Sequence, residues 1–483
     1  MQPELRIPVR WMREPAVPQR PQSRRRLPSC AGVAVPEEQG VRVPHVTGSR
    51  PLRIAVVGAG LAGLSTAHAV HRKALAAGRP VELDVFDSAS TPGGQLTTER
   101  EDGFIFDWAV NAFRTGPGAA TELVARLGLE GERIEASPAS KRRFVFAAGG
   151  LHELPRGPRS LLAFAPLRLT DRLRVLAEPV FARRVREEES VLAFGSRHLG
   201  PEAAELLLGT MVRGVYGGDV GRLSVDAAFP AMRAMERRHR SLLLAALAGR
   251  RDRQAACVST WSLAGGLSTL TERLAHELGP ALHLRQPIDH LSASDGGYLL
   301  RCESGHTWHG DAVVVATPPR VTQRLLGALD PSVARELAAI ESTDLAVVTM
   351  AIPRSGVQRA PEGYGFLVSP RERSSVLGIL FESNIFAKRA PEGQLLARAI
   401  LGGEGRKQVL AWRDDELVAE ARAMLDAALG LRGAPSRTWV KRYPHAIPQY
   451  RIGHRQRVAR IEARLTDLPG IALVGNAYRG VAV

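Results

Sequence analysis

The glycine triplet Gly58-Ala59-Gly60-Leu61-Ala62-Gly63 constrains this chain more than any other feature. It follows a short apolar run, Ile54-Ala55-Val56-Val57, of the kind buried on both faces of a parallel sheet. It opens a stretch of helical spacing from Leu61 to Ala77, and a second strand-like run, Val81 to Phe86, ends in Asp87, 24 residues beyond Gly63. The bare triplet is a weak signal, but strand, glycine turn, helix, strand and acid in this order predict a dinucleotide-binding βαβ unit. Gly58 permits the tight turn, Gly60 lets the backbone approach a pyrophosphate, and Gly63 lets the helix pack on the strand. With Ala59, Leu61 and Ala62 they form a cradle whose helix N-terminus offers unpaired N–H groups to phosphate. Asp87, with Ser88 beside it, stands where an acid accepts hydrogen bonds from ribose hydroxyls.

A length of 483 residues predicts two or three domains, and 45% hydrophobic with 24% charged residues supplies an ordinary soluble core. Aromatics are only 5%, and no metal module or stacking platform supports binding to nucleic acid. The net charge of +16 fits either an arginine-rich solvated surface or a partner carrying carboxylates. Residues 1–50 are rich in Arg and Pro, with nine Arg against four Glu, and read as a disordered extension or as sequence upstream of a mis-assigned start. Three scattered cysteines, Cys30, Cys257 and Cys302, exclude a disulfide framework or structural zinc and fit a reducing, cytoplasmic compartment. No apolar run approaches the ~18 residues that cross a bilayer, so any membrane contact is peripheral.

Beyond Asp87 come Pro92-Gly93-Gly94-Gln95-Leu96 and Gly103-Phe104-Ile105-Phe106-Asp107, similar to the second signature of amine-oxidase-type flavoproteins. Further blocks extend the likeness over most of 52–483: Arg142-Arg143-Phe144 with Gly149-Gly150-Leu151-His152, Met211-Val212-Arg213-Gly214-Val215-Tyr216-Gly217-Gly218-Asp219, Gly363-Tyr364-Gly365-Phe366-Leu367, Ile447-Pro448-Gln449-Tyr450 and Gly475 to Val481. Together they resemble the oxygen-dependent protoporphyrinogen oxidases.

The resemblance implies an α/β fold with a Rossmann-type FAD domain assembled from 51–115, 255–325 and 450–483. A substrate domain would comprise 136–159 and 326–449, and a helical, membrane-facing insert 116–135 and 160–254. It implies FAD held noncovalently, since the amine oxidases' attachment cysteine is absent, and oxidation of protoporphyrinogen IX by O2 with release of H2O2. The flavin would carry the hydride chemistry, so no catalytic side chain is expected, and no metal. Beside the glycine cradle, Gly93, Gly94, Gln95, Ala109, Val110, Asn111, Ala112, Ile288, Val481, Ala482 and Val483 would hold the cofactor. Arg143 would pair with a propionate, while Arg213, Gly214, Tyr364, Gly365, Leu367 and Ile400 would line the tetrapyrrole cavity. The stretch Pro155 to Val185 mixes leucines with arginines, which suits either the inner face of a cell membrane or a solvated helix face. Homodimer formation is left open.

Two departures stand out. The family carries a Gly-Pro turn after the position of Asp107, whereas this chain reads Trp108-Ala109-Val110-Asn111-Ala112. Alanine resists positive φ, and loss of proline frees φ, so flavin geometry there is in question. The family also continues beyond Gly480-Val481-Ala482-Val483 into a helix facing the flavin, whose dipole is expected to be missing here. Three alternatives remain: coproporphyrinogen III as substrate, another amine-oxidase-type oxidoreductase, or a truncated, silent paralogue that binds FAD or a tetrapyrrole.

Overall fold

The computed structural model describes residues 6–7, 41–42, 50–114, 119–253, 260–359 and 362–480. Of the first 49 residues only Arg6–Ile7 and Val41–Arg42 are described, and these pair antiparallel. The expectation of a disordered extension otherwise lies outside the described residues, as do Cys30, Cys257 and Val481–Val483.

The fold is mixed α/β. Five parallel strands form one sheet in the order Leu282–His283, Val81–Phe86, Leu52–Val57, Ala312–Val315, Ile471–Leu473. The Ile54–Val57 and Ala312–Val315 runs are buried on both faces, as unbroken apolar strands of a parallel sheet must be. The helices Leu61–Ala76 and Ser268–Leu278 cover one face. The antiparallel meander Ile288–Ser294, Gly297–Cys302, Thr307–Gly310 covers the other, seating Leu291, Leu300 and Trp308 against Val57 and Val313. Strand order reverses between Leu52–Val57 and Ala312–Val315, and a crevice at such a switch point is where a dinucleotide binds.

A second, seven-stranded sheet runs Gly150–Glu153, Phe144–Ala147, Gly365–Val368, Val376–Phe381, Gln394–Gly402, Ser342–Pro353, Arg437–Pro448. Alternation assigns its faces. Phe366, Ile379, Ala399 and Val348 sit in register and pack with Leu417, Ala421 and Leu425 of the helix Asp414–Leu429. The opposite face carries the row Leu367, Gly378, Ile400, Val347, Lys441 and, one step along, Gly365, Leu380, Arg398, Thr349, Trp439. Phe104, Phe106 and Trp108 pack onto that face against Val347 and Leu396.

Two local expectations change. Residues 116–135 are not helical throughout: Ala119–Arg126 is helix, but Arg133–Glu135 is a strand paired with Thr260–Leu263, which buries Trp261. The helical insert expected over 160–254 is broken into short pieces: Pro166, Pro179 and Pro201, which cannot donate an N–H and push the preceding residue out of helical geometry, interrupt its first half, and Arg240, at φ +62°, ends the helix Pro230–His239. These pieces pack around Phe194, Leu208 and Val212 and enclose a buried ionic cluster. In it His198 lies between Glu178 (2.6 Å) and Glu236 (3.2 Å), and Arg233 between Asp226 (2.9 Å) and Glu236 (2.6 Å).

Candidate functional site

The two glycine turns lie against one another. Gly58 leaves its strand at φ +108°, and a Cβ there would stand 2.9 Å from the Ala316 carbonyl oxygen. Gly93 takes φ +116°, and its N–H donates to the Ala59 carbonyl at 2.8 Å. A Cβ on Gly94 would come 3.1 Å from the Gly60 Cα. Gly60 is different: a Cβ on it would meet nothing nearer than 3.9 Å, so its side of the turn is open, as close approach by a pyrophosphate requires. Leu61 and Ala62 form the first turn of the following helix and pack into the core beneath.

Asp87 does a structural job as well. Its carboxylate accepts the Ala59 N–H at 2.5 Å and the Ala89 N–H at 2.7 Å, locking the glycine turn to the end of the second strand. Ser88 is exposed beside it. The Asp87 backbone pairs with His283 and Gln286, which brings in the segment leading to buried Ile288. Gln95 donates its Nε2 to the Ala446 carbonyl at 2.9 Å, tying the Gly-Gly turn to the seven-stranded sheet. Gly58–Gly63, Asp87, Ser88, Gly93–Gln95 and Ile288 therefore converge at one end of the parallel sheet.

The turn after Asp107 is held from below. Asp107 is buried, accepting Thr98 Oγ1 at 2.6 Å and the Leu267 N–H at 2.8 Å. Burial raises its carboxyl pKa, opposed by the charge of buried Arg389. Neither Ala109 nor Ala112 is among the residues with positive φ, so the loss of glycine brings no left-handed strain. Arg398 reaches across from the seven-stranded sheet, where it is fully buried. Its Nη1 donates to the carbonyls of Trp108 (2.8 Å) and Ala109 (2.7 Å), and its Nε to Glu382 Oε1 (2.8 Å). Glu382 in turn accepts Asn111 Nδ2 at 3.3 Å, and Asn111 Oδ1 accepts the Tyr364 hydroxyl at 3.2 Å.

Arg398 and Glu382 were missed in the sequence. The signal was there: an arginine inside the apolar strand run Leu395-Leu396-Ala397-Arg398-Ala399-Ile400 must be buried, and a buried guanidinium demands a carboxylate.

Tyr364 links this network to Arg143. Burial, with the Glu382 charge, raises its hydroxyl pKa. The exposed Arg143 guanidinium stands over the Tyr364 ring at 4.6 Å. Gly365 takes φ +140°, where a Cβ would strike the Ile379 carbonyl oxygen. Gly214 abuts Leu367 so closely that a Cβ would stand 2.4 Å from Leu367 Cδ2. Leu367 and Ile400 flank Gly378 across the same face. Arg213 lies apart from Tyr364, beyond the far end of the strand Gly365–Val368, donating to the carbonyls of Ser369 (3.2 Å) and Ser374 (3.0 Å). Burial, with the charge of Arg406, pushes its pKa down to about 10, and the partners it holds are these two carbonyls.

Comparison with known proteins agrees with this geometry. The flavin containing amine oxidoreductase family matches residues 61–483, and the chain belongs to it. The protein is thus an oxidoreductase with a flavin cofactor. Its relatives include human protoporphyrinogen oxidase, 33% identical over 89% of this chain and 95% of the other. Coproporphyrinogen III oxidase of Bacillus subtilis (strain 168) is 27% identical over 89% and 94%. Cyclohexylamine oxidase from Brevibacterium oxydans IH-35A shares the fold, with a TM-score of 0.65 at 17% identity over 89% and 94%.

Proposed function

We propose that this protein oxidises protoporphyrinogen IX to protoporphyrin IX, using noncovalently held FAD and O2 and releasing H2O2. One observation carries the reading: Arg143, on Tyr364, is joined through Asn111 to the turn beside the cofactor cradle. A carboxylate anchor at Arg143 would stand next to the place where the substrate carbon meets the flavin. The open side of Gly60, the crossed glycine turns and Asp87 fit a dinucleotide, and Gly58–Gly63, Asp87, Gly93–Gln95, Ala109–Ala112 and Ile288 would hold it. Bound FAD supplies the hydride acceptor. The protein's own groups orient and exclude: Arg143 takes a propionate, Gly214, Gly365, Leu367 and Ile400 offer a low apolar wall to the macrocycle, and Trp108 and Phe106 keep water from beneath the turn.

Arg213 supports a second substrate, coproporphyrinogen III. A guanidinium resting only on carbonyls, with Arg406 near it, is a second seat for a carboxylate, and this substrate has four propionates rather than two. Peripheral membrane contact belongs to the same proposal: Leu169, Leu173, Val180 and Phe181 are exposed among Arg168, Arg172 and Arg174, which suits an anionic surface. No helix among the described residues is long and apolar enough to cross a membrane.

The test is addition of anaerobically prepared protoporphyrinogen IX, and separately coproporphyrinogen III, to FAD-loaded protein in air. Porphyrin fluorescence should rise well above autoxidation with about three peroxides per porphyrin. Absence of enhancement with both, while FAD is bound, would sink the porphyrinogen reading.

A further inference from the structure

We propose that Arg398 and Glu382 are positioning residues for the cofactor: a buried ionic brace that replaces the Gly-Pro restraint and aims two backbone donors at the flavin. The inference rests on the flavin reading of the site. Ala109-Val110 has no proline to fix φ, so the direction of its peptides must be set by something else. Arg398 does this by holding the carbonyls of Trp108 and Ala109 with one nitrogen. A peptide N–H points opposite its carbonyl, so the N–H groups of Ala109 and Val110 are turned away from Arg398. Among the described residues neither N–H has a protein acceptor, although both residues are half-buried. Backbone donors without a protein partner turn to water or to a ligand, and on the flavin reading the cofactor ring is the acceptor these two face. Glu382 neutralises the guanidinium at 2.8 Å, so that the brace is not itself an unpaired buried charge. The brace also leaves Arg398 Nη2 buried without a partner, a further donor on this side of the sheet.

Two oriented N–H groups favour electron density on the cofactor ring, so they strengthen FAD binding and raise its reduction potential. The test compares FAD-loaded wild type with Arg398→Lys, and with Arg398→Met/Glu382→Met, in which an apolar pair fills the volume and leaves no lone buried charge. The readouts are FAD affinity by flavin fluorescence, the flavin absorption spectrum, and the midpoint potential by dye-coupled titration. In the double variant FAD should bind at least about tenfold more weakly, at a lower potential and with a shifted spectrum, at a melting temperature close to wild type. Lysine, a point charge that cannot span two carbonyls and a carboxylate, should fall between. A double variant that melts normally and keeps wild-type affinity, spectrum and potential would overturn the proposal. None of these readouts uses porphyrinogen, so wild-type inactivity toward that substrate would count against the proposed reaction and not against the brace.

Discussion

Gly63 lies so close to Gly58 that a methyl group on it would come within 1.8 Å of the Gly58 carbonyl oxygen. That oxygen belongs to backbone held at φ +108° against Ala316, so it has nowhere to move. Gly63→Ala should cost about 3 kcal/mol or more through overpacking and abolish FAD retention. Gly60→Ala meets only open space, so it should melt like wild type yet bind FAD more than about tenfold more weakly. Paired melting curves and FAD titrations separate the glycine that builds the fold from the one proposed to face the cofactor.

Arg143 is exposed, and its described contact is the Tyr364 ring, worth about 0.5–1 kcal/mol. Arg143→Ala should leave stability and FAD binding near wild type while raising the KM for porphyrinogen roughly tenfold with kcat largely kept. Arg143→Lys should recover only part, since a point charge replaces a planar fork. Steady-state kinetics decide, and a loss confined to kcat would remove Arg143 from propionate binding.

The Gly214–Leu367 contact sets the height of the apolar wall. Alanine at 214 suits the helix Thr210–Tyr216 by about 1 kcal/mol but forces Leu367 Cδ2 aside from its 2.4 Å position. Gly214→Ala should therefore raise KM without weakening FAD binding, and adding Leu367→Ala should restore room. A double-mutant cycle on KM showing simple additivity would mean that the two do not share the wall.

His454 makes stability depend on pH. It is buried, stacked on Tyr450 at 4.0 Å, and burial lowers its pKa to about 4 despite a hydrogen bond to the Tyr478 carbonyl. The unfolded chain, with a histidine pKa of about 6.5, takes up the proton first, so stability is intact above that pH and falls as pH drops toward 4. The loss should approach about 3 kcal/mol. Urea melts from pH 7 to 4 should show a steeper decline in wild type than in His454→Gln, whose matching slope would exclude His454 as the source.

The cradle was legible because its determinants are local. Gly58 to Asp87 spans one βαβ unit, and a glycine that must clear a carbonyl one helical turn away is written into the spacing. Asp87 stands at the end of the second strand, as its position in the sequence suggested, but its bonds to the Ala59 and Ala89 N–H groups were not foreseen, since an acid at a strand end reads equally as a ligand for ribose. The segmentation of 160–201 was readable from Pro166, Pro179 and Pro201, whereas the break at Arg240, which takes φ +62°, carries no such mark in the sequence.

The sequence by itself determined the glycine turn of the βαβ unit, the α/β class and, through dispersed motifs, the family, because short-range sterics and strand periodicity act within a few tens of residues. Tertiary structure alone decided which distant groups meet. It set Arg398 against carbonyls at 108 and 109, almost 290 residues away, and Glu382 against Asn111. It also joined Tyr364 to the turn at Asn111 and put Leu367 and Ile400 on one face of a sheet. Buried charges and cross-strand neighbours find their partners only when the chain has closed on itself, and no local pattern names a partner that long-range packing supplies.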